Sequence, residues 1–327
     1  MKKNLLLLAI FVLTAMVFTS CKFNDSPSTP VLTPYKTTLE RTIMIDVVNI
    51  GSALNSVYLD LISDSTERTK YAEALLSNTR FLPDDMGYFY VESLSGYCIV
   101  DAAVPAIKGL YRMDQTTPNG QYYVRDMINA AHYRGHGWVN YDFKNPVTQK
   151  TEKKSGFVSA IPAAEWYVGS GYYASETEGK SGLTENARED FEYQWFVHTM
   201  AQGMAGISAA YAEDPEFISR AYKTMVHHIN FDSHGSGYFF VYNLHGVVIA
   251  HGATPSLEGK NLIDYQDAKG NFVIQQLIDK VIADGAGFVD YYWLDPADQQ
   301  VESKRAYVEK IQGTDWFVGS GFYHVGQ

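Results

Sequence analysis

Between Gly270 and Gly285 the apolar residues Val273, Leu277, Ile278, Val281 and Ile282 recur three and four positions apart. That spacing places them on one face of a helix, and Gly285 stands where such a helix stops. On either side the pattern changes to aromatic and β-branched runs. Upstream, Gly237 to Tyr242 reads as a strand, Asn243 to Gly246 as a turn and "VVIAH" as a returning strand, together a hairpin. Downstream, Gly287 to Trp293, Arg305 to Ile311 and "DWFVGSGFY" (Asp315 to Tyr323) read as three more strands, broken at Pro296 and Gly313. The pattern predicts an antiparallel sheet of about five strands. Ahead of it lies a long helical stretch, "NAREDFEYQWFVHTMAQGMAGISAAYA", and a second, shorter helix before the hairpin. Helices that lead and a sheet that follows make an α+β domain.

The same succession occurs earlier in the chain. "EWYVGSGYY" at Glu165 to Tyr173 repeats as "DWFVGSGFY", with Trp166 and Trp316 lying 150 positions apart. The same shift sets "GYFYVESLSGYCIV" at Gly87 over "GYFFVYNLHGVVIA" at Gly237 without a gap, then Pro105 over Pro255, Gly135 over Gly285, Tyr141 over Tyr291 and Lys154 over Lys304. "LERTIMIDVVNIGSALNSVYLDLI" supplies the leading helix of the first copy. One offset held across so many glycines and aromatics means two copies of one domain. The expected boundaries are 36–175 for the first copy and 185–327 for the second.

Composition agrees with two folded domains, since the 327 residues are 46% hydrophobic and 14% aromatic. The formal net charge of -11 repels phosphate backbones and argues against nucleic acid as a partner. Residues 1–20 read as a secretory signal: Lys2 and Lys3, an apolar run from Leu5 to Phe18, then Thr19 and Ser20. The small pair before Cys21 is similar to the lipobox of bacterial lipoproteins, which would make Cys21 a lipidated N-terminus anchoring the protein to a bacterial membrane, facing the periplasm or cell surface. Residues 21–35, rich in Ser, Thr and Pro, suit a tether. Cys98 is the second of the two cysteines, and its counterpart Val248 marks a buried apolar position.

The second copy, with "KRAYV" and "WFVGSGFY" behind its hairpin and helix, resembles the Cache domains of extracytoplasmic bacterial sensors, and the first copy resembles them more loosely. The resemblance implies two tandem PAS-like sheets, each behind a long N-terminal helix and each holding a small ligand, a short organic acid or an amino acid, over one sheet face. It implies a sensor and not an enzyme. Membrane receptors of the family continue into a transmembrane helix and a signalling module, whereas this chain ends at Gln327, so occupancy would pass to a separate membrane protein. A scavenging module without a signalling partner, and a hydrolase with its site between the copies, are the alternatives.

A carboxylate pocket needs a cation, orienting donors and apolar walls. Lys304, beside the strand of Tyr307, and its counterpart Lys154 are the candidate cations. Tyr291 and Trp293, two apart on a strand, leave one sheet face together and could wall a pocket, as Tyr141 and Phe143 could in the first copy. His251 ends the second hairpin strand where the family has a polar group near the pocket mouth, and Asp101 takes its place in the first copy, so the two copies should prefer different ligands. "HHINFDSH" (His227, His228, Asp232, His234) matches no closed zinc spacing, and no metal or cofactor is expected. The "GSG" glycines lie in a strand rather than ahead of a helix, so they cradle no phosphate and read instead as sites of close backbone packing.

Overall fold

In the computed structural model, residues 31–231 and 236–323 are described. The signal segment, Cys21 and most of the tether lie outside them, as do Asp232 and His234. The first copy runs α1 (Tyr35–Asp60), α2 (Ser65–Leu76), β1 (Arg80–Phe81), β2 (Gly87–Tyr88), β3 (Tyr90–Ser93), β4 (Cys98–Asp101), α3 (Tyr123–Arg134), β5 (His136–Lys144), β6 (Thr151–Ile161) and β7 (Trp166–Tyr173). The second runs α4 (Glu185–Ala210), α5 (Pro215–His227), β8 (Phe239–Asn243), β9 (Val248–His251), α6 (Val273–Asp284), β10 (Ala286–Leu294), β11 (Val301–Lys310) and β12 (Trp316–Tyr323). The shift of 150 that relates the hairpins also relates α1 to α4 end for end.

The sheets are antiparallel, in the orders β4-β3-β7-β6-β5 and β9-β8-β12-β11-β10. The central strand of each is the repeated "GSG" phrase. Local chemistry sets the element ends. The Asp64 carboxylate accepts the Thr66 and Glu67 amides at 2.9 Å and starts α2. Gly135 and Gly285 stop α3 and α6 at φ of 79° and 78°, a region that glycine enters without strain. His132 is therefore on a helix and His136 on a strand. Ile282, expected on the buried face of α6, is 66% exposed, because the face packed on the sheet is formed by Val273, Ile274, Leu277, Ile278 and Val281.

Each sheet has two unlike faces. The inner faces enclose one common helical layer: α1 lies on β6 and β7, α4 on β11 and β12, α2 packs on α4 and α5 on α1. The two helix pairs exchange under the repeat, so the copies meet as a self-complementary pair within one chain. A single buried core runs through this layer, with Val47, Ile50 and Leu54 of α1 and Val197, Met200 and Met204 of α4. By length and composition α1 could cross a membrane, and 67% of its most apolar window is buried in this core. The outer faces carry α3 and α6 over two smaller cores.

At the α2–α4 crossing the backbones nearly touch. A Cβ added at Gly206 would stand 1.9 Å from the Ala74 carbonyl oxygen, and one at Gly203 2.6 Å from Leu75. Gly206→Ala should therefore lower the unfolding free energy by about 1–3 kcal/mol in a urea melt, although alanine is the better helix former by about 1 kcal/mol. A variant as stable as the wild type would show that the helices part there without strain.

Candidate functional site

The outer face of each sheet carries a row of three residues set directly opposite one another on neighbouring strands: Tyr141, Lys154 and Tyr173 in the first copy, Tyr291, Lys304 and Tyr323 in the second. The lysine is in the middle. Expected beside a strand, Lys304 lies inside β11, which begins at Val301, and both lysines are buried, at 2% and 0% exposure.

Rings and hydroxyls take the place of water around each ammonium. Lys154 donates to the Tyr88 hydroxyl at 2.5 Å and lies 4.2 Å from the centroid of that ring, 5.1 Å from Tyr173 and 5.5 Å from Phe143. Lys304 donates to the Tyr323 hydroxyl at 3.3 Å and lies 3.9 Å from the ring centroid of Tyr238 and 4.6 Å from that of Tyr323. Such contacts stabilise a desolvated cation by about 2 kcal/mol or more each. Burial still pulls the Lys154 ammonium down to about 8, with Asp101 and Glu176 drawing it partly back.

The repeated phrase holds this cage in place. Ser170 and Ser320, each between its two glycines, donate at 2.7 Å to the backbone carbonyls of Tyr88 and Tyr238. A Cβ on Gly169 would stand 2.5 Å from the ring of Tyr90, and one on Gly319 2.5 Å from that of Phe240. The glycines leave room for one cage ring and the serine anchors the other.

Near each lysine is a small cavity of about 10 Å³, where roughly 10–15 Å³ holds one water. The second is lined by Tyr238, Phe240, Tyr242, His251, Tyr291 and Trp293 with three aliphatic residues of α6. Lys304 lies behind Tyr238 rather than on the lining. Lys154 does line the first, together with Arg112, Glu92, Asp101, Tyr88, Tyr90, Tyr123, Met127, Tyr141 and Phe143.

His251 and Asp101 occupy one position with one backbone role. The Thr254 amide donates to His251 Nδ1 at 3.0 Å, while Ala103 and Val104 donate to Asp101 Oδ1 at 2.9 and 2.7 Å. The imidazole keeps its proton on Nε2 and stays neutral, since burial and then Lys304 pull its titration down to about 3. It is 1% exposed and lies at the cavity wall, not at an open mouth.

The structure thus brings together Lys304, Tyr291, Trp293 and His251, and Lys154, Tyr141 and Asp101. It separates Tyr307 from them. Odd-numbered residues of β11 face the shared helices, where Arg305 pairs with Asp190 and Glu309 with His198, and Tyr307 packs on Phe288 on that side. Sequence reasoning passed over the cage tyrosines Tyr88 and Tyr238 and the serines behind them, although all four sit inside the repeated phrases. It also passed over Glu92 and Arg112, whose counterparts Tyr242 and Leu262 carry no charge and so gave no signal.

Between the copies, where a hydrolase site was an alternative, an open groove runs from Leu61 to Phe217. Its lining holds no histidine or cysteine, and its Asp64 and Asp214 carboxylates cap α2 and α5.

A family model described as Cache domain matches residues 36–194 and 196–325. The sensor histidine kinase MctS of Rhizobium johnstonii is 37% identical over 87 residues, 27% of this chain and 19% of that protein. The methyl-accepting chemotaxis protein McpP of Pseudomonas putida is 29% identical over 86 residues, 26% of this chain and 16% of that protein. The match thus spans less than a fifth of either curated relative. A solved Cache chemosensory domain, described for its recognition of carboxylic acid, is 28% identical with a TM-score of 0.35, over 38% of this chain and 85% of its own.

The buried lysine makes a stability prediction with a definite sign. Unfolded, its amine titrates near 10.5; folded, at about 8. Between these values the unfolded chain binds more protons, so stability rises with pH, and below about 8 the full penalty applies. Lys154→Met should therefore be more stable than wild type by about 3 kcal/mol at pH 7, a difference that shrinks between pH 8 and 10.5 in parallel chemical melts. A wild type at least as stable as the variant at pH 7 would mean that the cage already solvates the ammonium fully.

Proposed function

Because the chain belongs to the Cache-domain family, we propose that it is an extracytoplasmic receptor for a small carboxylate, held to a bacterial membrane through a lipid on Cys21 and signalling through a separate membrane protein. The observation that carries this reading is the buried lysine in each sheet. A cation held away from water attracts an anion of opposite charge, which offsets the cost of its burial. Lys304, His251, Tyr291 and Trp293 would bind it in the second copy, while Lys154, Tyr141 and Asp101 form the matching site in the first, where the Asp101 carboxylate suits a different ligand. The neutral His251, with its proton on Nε2, suits a carboxylate oxygen as acceptor.

The small cavities fit this role as contracted forms of the site. A carboxylate needs more room than a single water, so it enters as the segment over the cavity lifts and is enclosed as that segment returns. Occupancy then biases the open and closed populations, and that bias is the signal. Relatives named as a histidine kinase and a chemotaxis protein favour a sensor over a scavenger.

Thermal-shift measurements on the whole chain against acetate, propionate, lactate and pyruvate test the reading. At about 100 times its dissociation constant the right carboxylate should add roughly 2.7 kcal/mol of stability. Combining Lys154→Met with Lys304→Met should remove the shift, and Tyr307→Phe, on the other sheet face, should keep it. A shift that survives the double variant, or no shift with any monocarboxylate, refutes the proposal.

A further inference from the structure

One long segment covers the outer-face core of each sheet; the two follow one backbone plan, differ in what holds them down, and only the first, through Arg112, reaches the cavity lining. Residues 102–122 join β4 to α3, and residues 252–272 join β9 to α6. Matched amides make matched bonds. Gly109 donates to the Cys98 carbonyl and Gly259 to that of Val248, both at 2.8 Å, while Arg112 donates to Gly96 at 2.7 Å and Leu262 to Gly246 at 2.9 Å.

The side chains at that last pair diverge. Arg112, 4% exposed, reaches through the first cover to Glu92 on β3, which is 1% exposed. Its other nitrogens donate to the Tyr123 hydroxyl on α3 at 2.8 Å and to Gln115 Oε1 at 3.0 Å, and the Tyr167 hydroxyl on β7 donates to Glu92 at 2.5 Å. Five groups from the cover, the helix and two strands form one closed network. In the second copy the corresponding residues are Leu262, Tyr242, Val273, Tyr265 and Phe317. The whole ionic set has been exchanged for apolar and aromatic side chains, with Tyr242 stacked on Phe317 at 5.9 Å.

We propose that Glu92 and Arg112 latch the first cover shut and that the second copy is the one that opens to take the ligand, an inference that rests on the carboxylate reading above. Lifting the first cover separates a buried ion pair and leaves Glu92 on β3 without its countercharge. Lifting the second parts rings and methyl groups that lose only weak contacts and can repack. The linings differ in the same sense, because Glu92 and Asp101 compete with an anion for the cations Arg112 and Lys154 at the first cavity, whereas no carboxylate lines the second.

Native-state hydrogen exchange on the full chain tests this without any ligand. The Arg112 and Leu262 amides make the same bond, so their exchange rates report how often each cover lifts. Leu262 should exchange at least about tenfold faster than Arg112. Converting the latch to the second copy's residues, with Glu92→Tyr, Arg112→Leu and Tyr167→Phe together, should bring position 112 to within about threefold of Leu262. Should that triple variant fail to fold, the wild-type comparison still decides. Millimolar propionate should slow exchange over 252–272 and leave 102–122 unchanged. Equal rates at the two positions, a slower Leu262, or propionate protection over 102–122 would overturn the latch. Unequal rates in the expected sense with no protection by propionate would uphold the latch and count against that carboxylate alone.

Discussion

An ammonium group sealed from water has to be solvated by the protein that seals it, and the outer face of each sheet is organised around that demand. The lysine stands in the middle of a row of tyrosines, so its charge meets ring faces and hydroxyls rather than methyl groups. Those rings in turn need a fixed backbone and space. The serine of the repeated phrase supplies the first by bonding the carbonyl behind a cage tyrosine, and the flanking glycine supplies the second by having no side chain. The nine-residue phrase is conserved between the copies because it serves the lysine, although neither its serine nor its glycines touch the ammonium. Burial that holds Lys154 at about 8 is unfavourable to the fold itself.

The two faces of each sheet divide the labour. Inward, both sheets rest on a common layer of helices whose backbones approach too closely for any side chain at Gly206. That contact packs the two copies closely against each other. Outward, each sheet is covered by one short helix and one long segment, with only a small cavity between.

Duplication supplied one architecture and divergence supplied two electrostatic interiors. At a position that caps the same turn in both copies, one has an aspartate and the other a neutral histidine. A few residues away an ion pair in one copy faces aromatic stacking in the other. Both interiors are satisfied, and neither can be converted to the other by a single substitution, because replacing one member of the ionic set leaves the rest uncompensated.

Periodicity and the internal repeat were enough to determine the element order, the duplication and the strand pattern, because spacing along a helix or strand dictates which side chains share a face. The family followed from the same phrases. Tyr307 shows where this stopped: three residues from Lys304, it looked like a neighbour along the chain, but once β11 was seen to begin at Val301 the alternation of the strand sent it to the opposite face. Glu92 and Arg112 were out of reach for a different reason. They are 20 residues apart and the repeat does not preserve them, so only the folding of the cover onto β3 could pair them. That the leading helices α1 and α4 match end for end emerged from the coordinates, since core helices keep their shape while their residues change freely within an apolar class. Local order lies in the spacing of residues, whereas the pairing of charges across a cavity is decided by the fold, because it depends on distances that no local pattern encodes.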